Sequence, residues 1–371
     1  MIVFPAEFNA RKEAIFAALA AAAGSNRRLL WVPLSLSDYP ETAIRTDAAL
    51  TRAKRQPHSS LSRWLKRQLI RGQYNWSRRY FTQNPDHIAV AWNGLTGSRM
   101  AFMMGAKDAG AATLYAELAP FPGRVTLDRA GVNAEGSVPQ DPAFYHVWAG
   151  ADPTRNAEAW RAMGAGLTAR PSRRADVGQG ADPLPGTPFL FCPLQVPDDS
   201  QVRLFAGWTG GMAGFLTALG QAAQHLPPGW HLRLKEHPSA RQPLAALLAP
   251  LIATGRVVLD NATDSFAQLA ASRGVVTLNS SMGLQAFFHD KPVLALGRAF
   301  WALPGIATQA DGQSALNAAF AAPDTLTFDA ATRAQFMNWL DQCYYPHFDW
   351  PGNNADIAAF AARLAAARAV R

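Results

Sequence analysis

The sequence predicts an α/β protein built from two consecutive βα series, and three observations carry that prediction. Short, bounded apolar runs recur with helix-like segments between them, as at Ile88–Trp92, 189–194 and 274–278. Alternation of this kind marks parallel sheets with helical crossovers. Several of the runs end in Gly-containing or polar turns, namely Asn93-Gly94, Asp198-Asp199-Ser200, Lys235-Glu236-His237-Pro238 and Asn279-Ser280-Ser281. Strand ends are where open α/β sheets bind ligands. Between the two series, residues 171–188 gather Pro, Gly, Asp and Arg without periodicity, the composition of an interdomain linker. At 371 residues the chain is long for one core and comfortable for two.

Taken in order, residues 7–23 read as a helix with Ile15, Phe16 and Leu19 on one face, and 29–34 as a strand. Segments 48–55 and 59–81 carry Arg52, Lys54, Arg55, Arg63, Lys66, Arg67, Arg71, Arg78 and Arg79, interleaved with Trp64, Leu65, Leu69 and Ile70. They read as one or two amphipathic helices broken near Gly72. Such a segment either solvates its basic face or presents it to an anionic acceptor or anionic headgroups. Ile88–Trp92 is a buried-type strand, ending at Asn93-Gly94 and feeding a helix over 100–109. Residues 111–116 form the next strand, with Glu117 at its end. The stretch 120–133 reads as an active-site loop, and 157–167 as a helix.

The second series starts with the strand 189–194 and the Asp198-Asp199-Ser200 turn. A helix over 204–219 follows, broken at 208–211. Strands are expected at 230–235, 257–259, 274–278 and 292–297, with helices at 244–253, 265–271 and 284–289 between them. From Asp324 onward the chain reads as mostly helical, with 331–344 and 356–370 packing back across two domains.

Composition bounds the function. The net charge of +8 fits an anionic partner. No Lys/Arg run reads as a nucleic-acid tail and no aromatic-interleaved platform is visible, so nucleic acid is not an expected partner. The two cysteines argue against a disulfide scaffold, and Cys192 sits in an apolar run as a core residue would. No secretory signal is visible, and no apolar stretch reaches the roughly 20 residues that span a bilayer. The expected location is the cytoplasm, with a peripheral position at the cytoplasmic face of the inner membrane as the option the basic segment adds.

Two adjacent carboxylates, Asp198 and Asp199, at a strand end point either to chemistry or to a turn. The turn reading makes them a solvated Pro-Asp-Asp-Ser loop, with Ser200 or Asp199 capping a following helix. Glu117 at a strand end is well placed for a general base, or pairs with Arg124 or Arg129. Hydroxyls and N–H groups at Ser280 and Ser281, where a strand feeds a helix, form an anion site that Lys235 and His237 can complement. There is no GxGxxG after the first strand, no GxxxxGK[ST] and no credible GxSxG. Those gaps argue against a dehydrogenase, a P-loop NTPase and an α/β-hydrolase. No Cys/His spacing reads as zinc, so neither metal nor cofactor is expected.

Two Rossmann-like domains, a linker and a helical return describe a GT-B-like architecture with a crevice between the domains. The expected boundaries are 1–185 for an acceptor domain that includes the basic segment 48–81, 186–325 for a donor domain, and 326–371 for the C-terminal helices. The order of Trp92-Asn93-Gly94, Glu117 with its Pro-rich turn, 128–133, 194–200, 235–238 and 279–284 resembles the capsule polysaccharide synthesis proteins. These are the retaining β-Kdo glycosyltransferases of capsule and O-antigen assembly, and the likeness runs from about Trp64 to Trp301. The resemblance implies a CMP-β-Kdo donor, a glycan or lipid-linked acceptor, and transfer through a covalent ketosyl intermediate. Asp199 would be the nucleophile by position, with Asp198 its competitor, and Glu117 the acid/base. His237, Lys235, Ser280 and Ser281 would hold the CMP phosphate, with Gln195, Asn279 and Gly283 completing the donor site. Asn93, Arg99, Asp128 and Asn133 would face the acceptor or the Kdo. The competing readings are a transferase or epimerase of the same architecture using another nucleotide sugar, and a non-catalytic polysaccharide-assembly protein.

Overall fold

The computed structural model describes residues 1–369 other than Arg170, Asp182 and Pro185. The chain divides into two compact units: Met1–Val138 with Leu340–Arg371, and Pro139–Trp339. The expected boundaries at 185 and 325 therefore give way to 138/139 and 339/340. The segment 171–188 is part of the second unit, because its backbone is tied down there: the Gly178 N–H donates to the Asn261 carbonyl (2.7 Å) and that of Gly180 to Ala262 (2.8 Å). Asp182 and Pro185 of that expected linker lie outside the described residues.

The first unit runs β1 (Ile2–Pro5), α1 (Ala10–Ala23), β2 (Asn26–Leu29), α2 (Thr42–Thr51), α3 (Ser60–Gln83), β3 (Ile88–Trp92), α4 (Gly97–Asp108), β4 (Ala112–Leu118) and β5 (Val125–Asp128). The sheet order is β2-β1-β3-β4-β5, parallel except for the antiparallel β4–β5 pair. β1 was hidden by its brevity, yet all four of its residues are buried. The first helix begins at Ala10 rather than residue 7, because the Asn9 side chain accepts the Lys12 N–H as N-cap. The strand expected over 29–34 lies earlier, since it is 26–29 that pairs with 2–5. α3 runs through Gly72 without a break: Leu34 packs where a Cβ would stand, 3.1 Å away. Part of the stretch read as a loop over 120–133 is strand β5, which pairs Thr126 with Glu117.

The second unit begins with α5 (Pro142–Gly150), which the sequence reading missed although Asp141 caps it. The helix expected over 157–167 is a 3-10 segment, Glu158–Gly164. The series then runs β6 (Phe189–Pro193), α6 (Ser200–Phe205), α7 (Met212–Ala223), β7 (His231–Lys235), α8 (Ala245–Ile252), β8 (Val257–Leu259), α9 (Ser265–Ala271), β9 (Gly274–Thr277), α10 (Ser281–Gln285), β10 (Val293–Ala295), β11 (Thr308–Gln309), α11 (Gln313–Ala321) and α12 (Ala330–Trp339). The break expected at 208–211 separates α6 from α7, with Gly207, Gly210 and Gly211 all at positive φ. The sheet is wholly parallel, in the order β11-β10-β9-β6-β7-β8. Counted from β6, that is the 3-2-1-4-5-6 order of a dinucleotide-type α/β sheet, which reverses direction between β6 and β9. β6 is buried throughout, as a strand covered on both faces must be. Leu190, Cys192, Leu232, Val276 and Leu294 pack with Phe215 and Leu219 of α7 to form its core.

The C-terminal segment divides between the units. α12 packs on α5, and Arg333 on it is buried between the rings of Phe287 and Phe328 (4.1 and 3.3 Å to the centroids). After a π-helical turn, Leu340–Tyr344, the chain belongs to the first unit. There α13 (Ile357–Arg368) puts Phe360, Leu364 and Ala367 into the core with Ile2, Val90 and Leu114. Val370, the last residue of the helix expected over 356–370, lies outside the described residues. Among the described residues no helix is long and apolar enough to cross a membrane.

Asp128, at the end of β5, is 2% exposed and bound on both oxygens. Oδ1 accepts the N–H groups of Ala130 and Gly131 (2.7 and 3.3 Å). Oδ2 accepts the Ser137 N–H and hydroxyl and the Tyr344 hydroxyl (2.7, 2.9 and 2.7 Å). It ties the 129–137 loop to the returning C-terminal segment. Asp128→Ala is expected to lower unfolding free energy by roughly 2–4 kcal/mol in urea titrations, because several donors lose their acceptor at once.

Asp260, following β8, is the counterpart in the second unit. Burial pushes its carboxyl up, but the Thr263 N–H and hydroxyl and the Arg233 guanidinium (2.5 Å) outweigh that and hold it down at about 2. An unfolded Asp titrates near ~3.9. The unfolded chain thus takes up the proton first, so the stabilisation is present above about pH 4 and is lost as pH falls through about pH 2. Asp260→Asn is expected to remove about 2 kcal/mol from the difference in urea stability across that window, relative to the parent chain.

Candidate active site

In the second unit the sheet reverses order between β6 and β9, so the chain leaving each strand opens away from the other at the carboxyl edge. The residues that follow are Gln195 and Asn279, and they bind each other. Gln195 Nε2 donates to Asn279 Oδ1 (2.9 Å), and the Asn279 N–H donates back to Gln195 Oε1 (3.2 Å). Asn279 Nδ2 also donates to the carbonyls of Gln201 and Phe205 (3.1 and 3.0 Å). These amides therefore hold the two strand ends and α6 together, and their side chains are committed to that framework.

Asp198 and Asp199 stand beside this pair, both exposed. The turn is real: the Asp199 N–H donates to the Val196 carbonyl (3.0 Å), and Asp199 Oδ1 caps α6 by accepting the Gln201 N–H (2.8 Å). The cap fixes the carboxylate at the edge of the sheet without burying it. Ser280 likewise caps α10 through its hydroxyl (3.2 Å from the Met282 N–H), while Ser281 is exposed on the first turn. At Gly283 an added Cβ would stand 2.5 Å from the Trp301 ring, so packing requires glycine there, and its N–H donates to the Ser280 carbonyl (2.9 Å).

Lys235 does not fit the phosphate role that the resemblance implies. It is 2% exposed, and its ammonium donates to the carbonyls of Gly178, Asn261 and Thr263 (2.8, 2.9 and 2.7 Å). An ammonium has three donors, and all three are used. Burial pushes its pKa down. The neighbouring Glu236 is also structural: burial raises its pKa, but Arg174, the Leu244 N–H and Asn261 hold it below the usual range. His237 stays on the edge, half-buried. Its Nδ1 accepts the Ser239 N–H (3.0 Å), so the neutral ring carries its proton on Nε2.

Sequence reasoning stopped one residue short of another cation. Arg298 follows β10 on the same edge, exposed, with its N–H on the Phe205 carbonyl (2.9 Å) and its guanidinium 5.4 Å from the Phe205 ring. The signal was there: Arg298 comes directly after the apolar run that ends at Gly297. A cavity of about 390 Å³ lies at the opposite, amino-terminal edge of this sheet, lined by Pro188, Arg273, Asp290 and Lys291 among others. The polar strand ends are not part of it.

In the first unit the order reverses between β1 and β3. Glu7 follows β1, 4% exposed, and was missed because it read as the start of a helix. Arg99 Nε donates to its Oε1 (2.6 Å) and Lys12 Nζ to its Oε2 (3.2 Å). Arg99 is thus committed to Glu7, with part of its side chain still in solvent. Asn93 follows β3 with φ 61°, and its Nδ2 donates to Glu117 Oε2 (3.1 Å). Gly94 has φ 73°, and an added Cβ would stand 2.5 Å from the Tyr115 ring, so only glycine fits there. Glu117 lies within β4 rather than beyond it, half-buried and oriented by Asn93. Asn133, at φ 55°, turns the 129–137 loop, and its carbonyl accepts the Gly136 N–H (3.0 Å). Asp128 and Asn133 therefore build that loop, whereas Asn93, Arg99 and Glu117 gather at the strand ends.

Residues 183–345 match the family described as capsule polysaccharide biosynthesis protein. Protein FixF of Sinorhizobium fredii (strain NBRC 101917 / NGR234) is 30% identical over 297 residues, covering 80% of this chain and 67% of that protein. The capsule polysaccharide modification protein LipB of Neisseria meningitidis (serogroup A strain) is 33% identical over 129 residues, 33% of this chain and 30% of LipB. Among solved structures, the beta Kdo 2,7 transferase of Thermosulfurimonas dismutans KpsC aligns over 99% of both chains with a TM-score of 0.54 at 12% identity. That likeness, with the two Rossmann-like units, fixes the fold class as GT-B-like. By the shared identity with FixF and the matched family region, the chain belongs to the capsule polysaccharide biosynthesis family.

Proposed function

We propose that this chain is a glycosyltransferase of surface-polysaccharide assembly, and specifically a retaining β-Kdo transferase that uses CMP-β-Kdo. The observation that carries the reading is the position of Asp199: an exposed carboxylate held by its own helix cap, at the order reversal of a nucleotide-type sheet. The family supports polysaccharide assembly, and the full-length likeness to a Kdo transferase supports the fold needed for it.

In this reading Asp199 attacks the anomeric carbon of Kdo while the bond to the CMP phosphate breaks. The products are a ketosyl ester on Asp199 and free CMP. The acceptor hydroxyl then attacks the same carbon, its proton passes to Glu117, and the Asp199 carboxylate is released. Two displacements restore the starting configuration. The His237 Nε2–H, Ser281 and Arg298 supply hydrogen bonds and charge to the departing phosphate, the part for which Lys235 has no donor left. Asn93 orients Glu117. The proposed acceptor is a glycan or a lipid-linked glycan.

Asp199 has two roles, so the test must separate them. Asn caps a helix as well as Asp does, whereas Ala forfeits about 1 kcal/mol. Intact-mass measurement after mixing the protein with CMP-Kdo and no acceptor is expected to show one added Kdo on the parent chain. Asp199→Asn is expected to show none at unchanged urea stability. An adduct that persists in Asp199→Asn and vanishes in Asp198→Asn moves the nucleophile by one residue. Absence of both adduct and CMP release from the parent chain overturns the donor assignment. Arg298→Gln is expected to raise KM for CMP-Kdo by about tenfold, the weight of one charge-assisted hydrogen bond. An unchanged KM removes Arg298 from the phosphate site.

A further inference from the structure

A second surface, in the first unit, is built for contact with something other than water. Between Asp47 and Asp86 the sequence has no carboxylate, while nine Lys or Arg side chains fall in the same interval. α3 starts there, with Ser59 and Ser62 in a reciprocal capping box. Leu61, Trp64, Leu65 and Leu69 follow at spacings of three and four, so they form one stripe along the helix. A stripe of that kind normally faces the core. Here it faces outward: Leu61 is 64% exposed, Trp64 56%, Leu65 54% and Leu69 44%.

The stripe continues past the end of that run. Gly72 falls on the same face, and there the connection between β2 and α2 lies across the helix. The Ser35 N–H donates to the Gly72 carbonyl (2.9 Å), and Leu34 packs on the space above Gly72. That connection also leaves Leu30, Trp31, Leu34 and Leu36 exposed, the last at 91%. Arg67, paired with Asp47 (2.8 Å), flanks one side of the helical stripe and Lys66 the other. Long cationic side chains around an apolar ridge that carries tryptophan match a bilayer interface, where stems lie in the acyl boundary and charged ends reach phosphate.

We propose that this face, α3 from Leu61 to Leu69 with the connection around Leu34, docks on the surface of an anionic phospholipid bilayer. A second copy of the chain is a poorer occupant, because a two-fold contact would set the cations beside the stripe, Arg55 and Lys66 with the Asp47-paired Arg67, against their equals. The docking is independent of the reaction proposed above and is measured without any sugar donor.

The experiment is co-sedimentation of the full chain with vesicles of phosphatidylcholine alone or of phosphatidylcholine and phosphatidylglycerol in equal parts, at low and high salt. Retention is expected only on the anionic vesicles, falling with salt. Arg55→Gln with Lys66→Gln is expected to weaken it about fivefold per charge removed. Trp64→Ser with Leu65→Ser is expected to weaken it roughly tenfold or more at unchanged urea stability. Should that pair lose stability, Leu61→Ser with Leu69→Ser reads the same stripe from its other two positions. No retention on anionic vesicles, equal retention on both vesicle types, or retention indifferent to either class of variant overturns the proposal. So does a dimer in sedimentation velocity that Trp64→Ser abolishes, which assigns the face to contact between copies.

Discussion

A wholly parallel sheet imposes one constraint from which much of the second unit follows: each strand must return by a crossover, so every strand delivers its following residues to the same edge. β6, β7, β9 and β10 therefore bring Asp199, His237, Ser281 and Arg298 to one rim, although these residues are spread over about a hundred positions. The strand order then decides which of them lie at the opening. Because the order reverses between β6 and β9, Gln195 and Asn279 become neighbours, and their mutual hydrogen bonds hold the rim in shape.

Around that rim the buried charges serve the backbone. Lys235 binds three carbonyls, Glu236 a backbone N–H, an amide and a guanidinium, and Asp260 two N–H groups and Arg233. Each connects loops that no regular ladder reaches, and each has its hydrogen-bonding capacity filled inside the protein. The polar groups that stay at the surface, Asp199 and Arg298, sit one short segment away. The same division holds in the first unit, where Asp128 is enclosed by its donors while Glu117 remains half-buried beside Asn93.

The apolar runs made the two sheets legible in the sequence. Ile88–Trp92, Val257–Leu259 and Ser265–Ala271 appear where periodicity puts them, and the order of polar strand ends carried the family resemblance. Burial of individual polar residues was not legible. Lys235 and His237 are two positions apart and look alike as cationic partners for a phosphate, yet Lys235 is the last residue of β7 and is held under a loop some 57 residues earlier in the chain, whereas His237 lies beyond the strand's end. Gln195 and Asn279 were both singled out, but their pairing is set by strand order, which no local pattern encodes. Glu7 and β1 were missed together, because a four-residue strand ahead of an Ala-rich helix has too little period to register.

The way the chain crosses between the units has a consequence for synthesis. The second unit is a single continuous interval, Pro139–Trp339, whereas the first is completed only by residues from Leu340 onward. Phe348, Phe360 and Leu364 fill the core between α1 and the sheet, and Tyr344 occupies Asp128. As the polypeptide leaves the ribosome, the later-made unit can close on itself first. The earlier-made one must wait with an open apolar face until the last helix emerges.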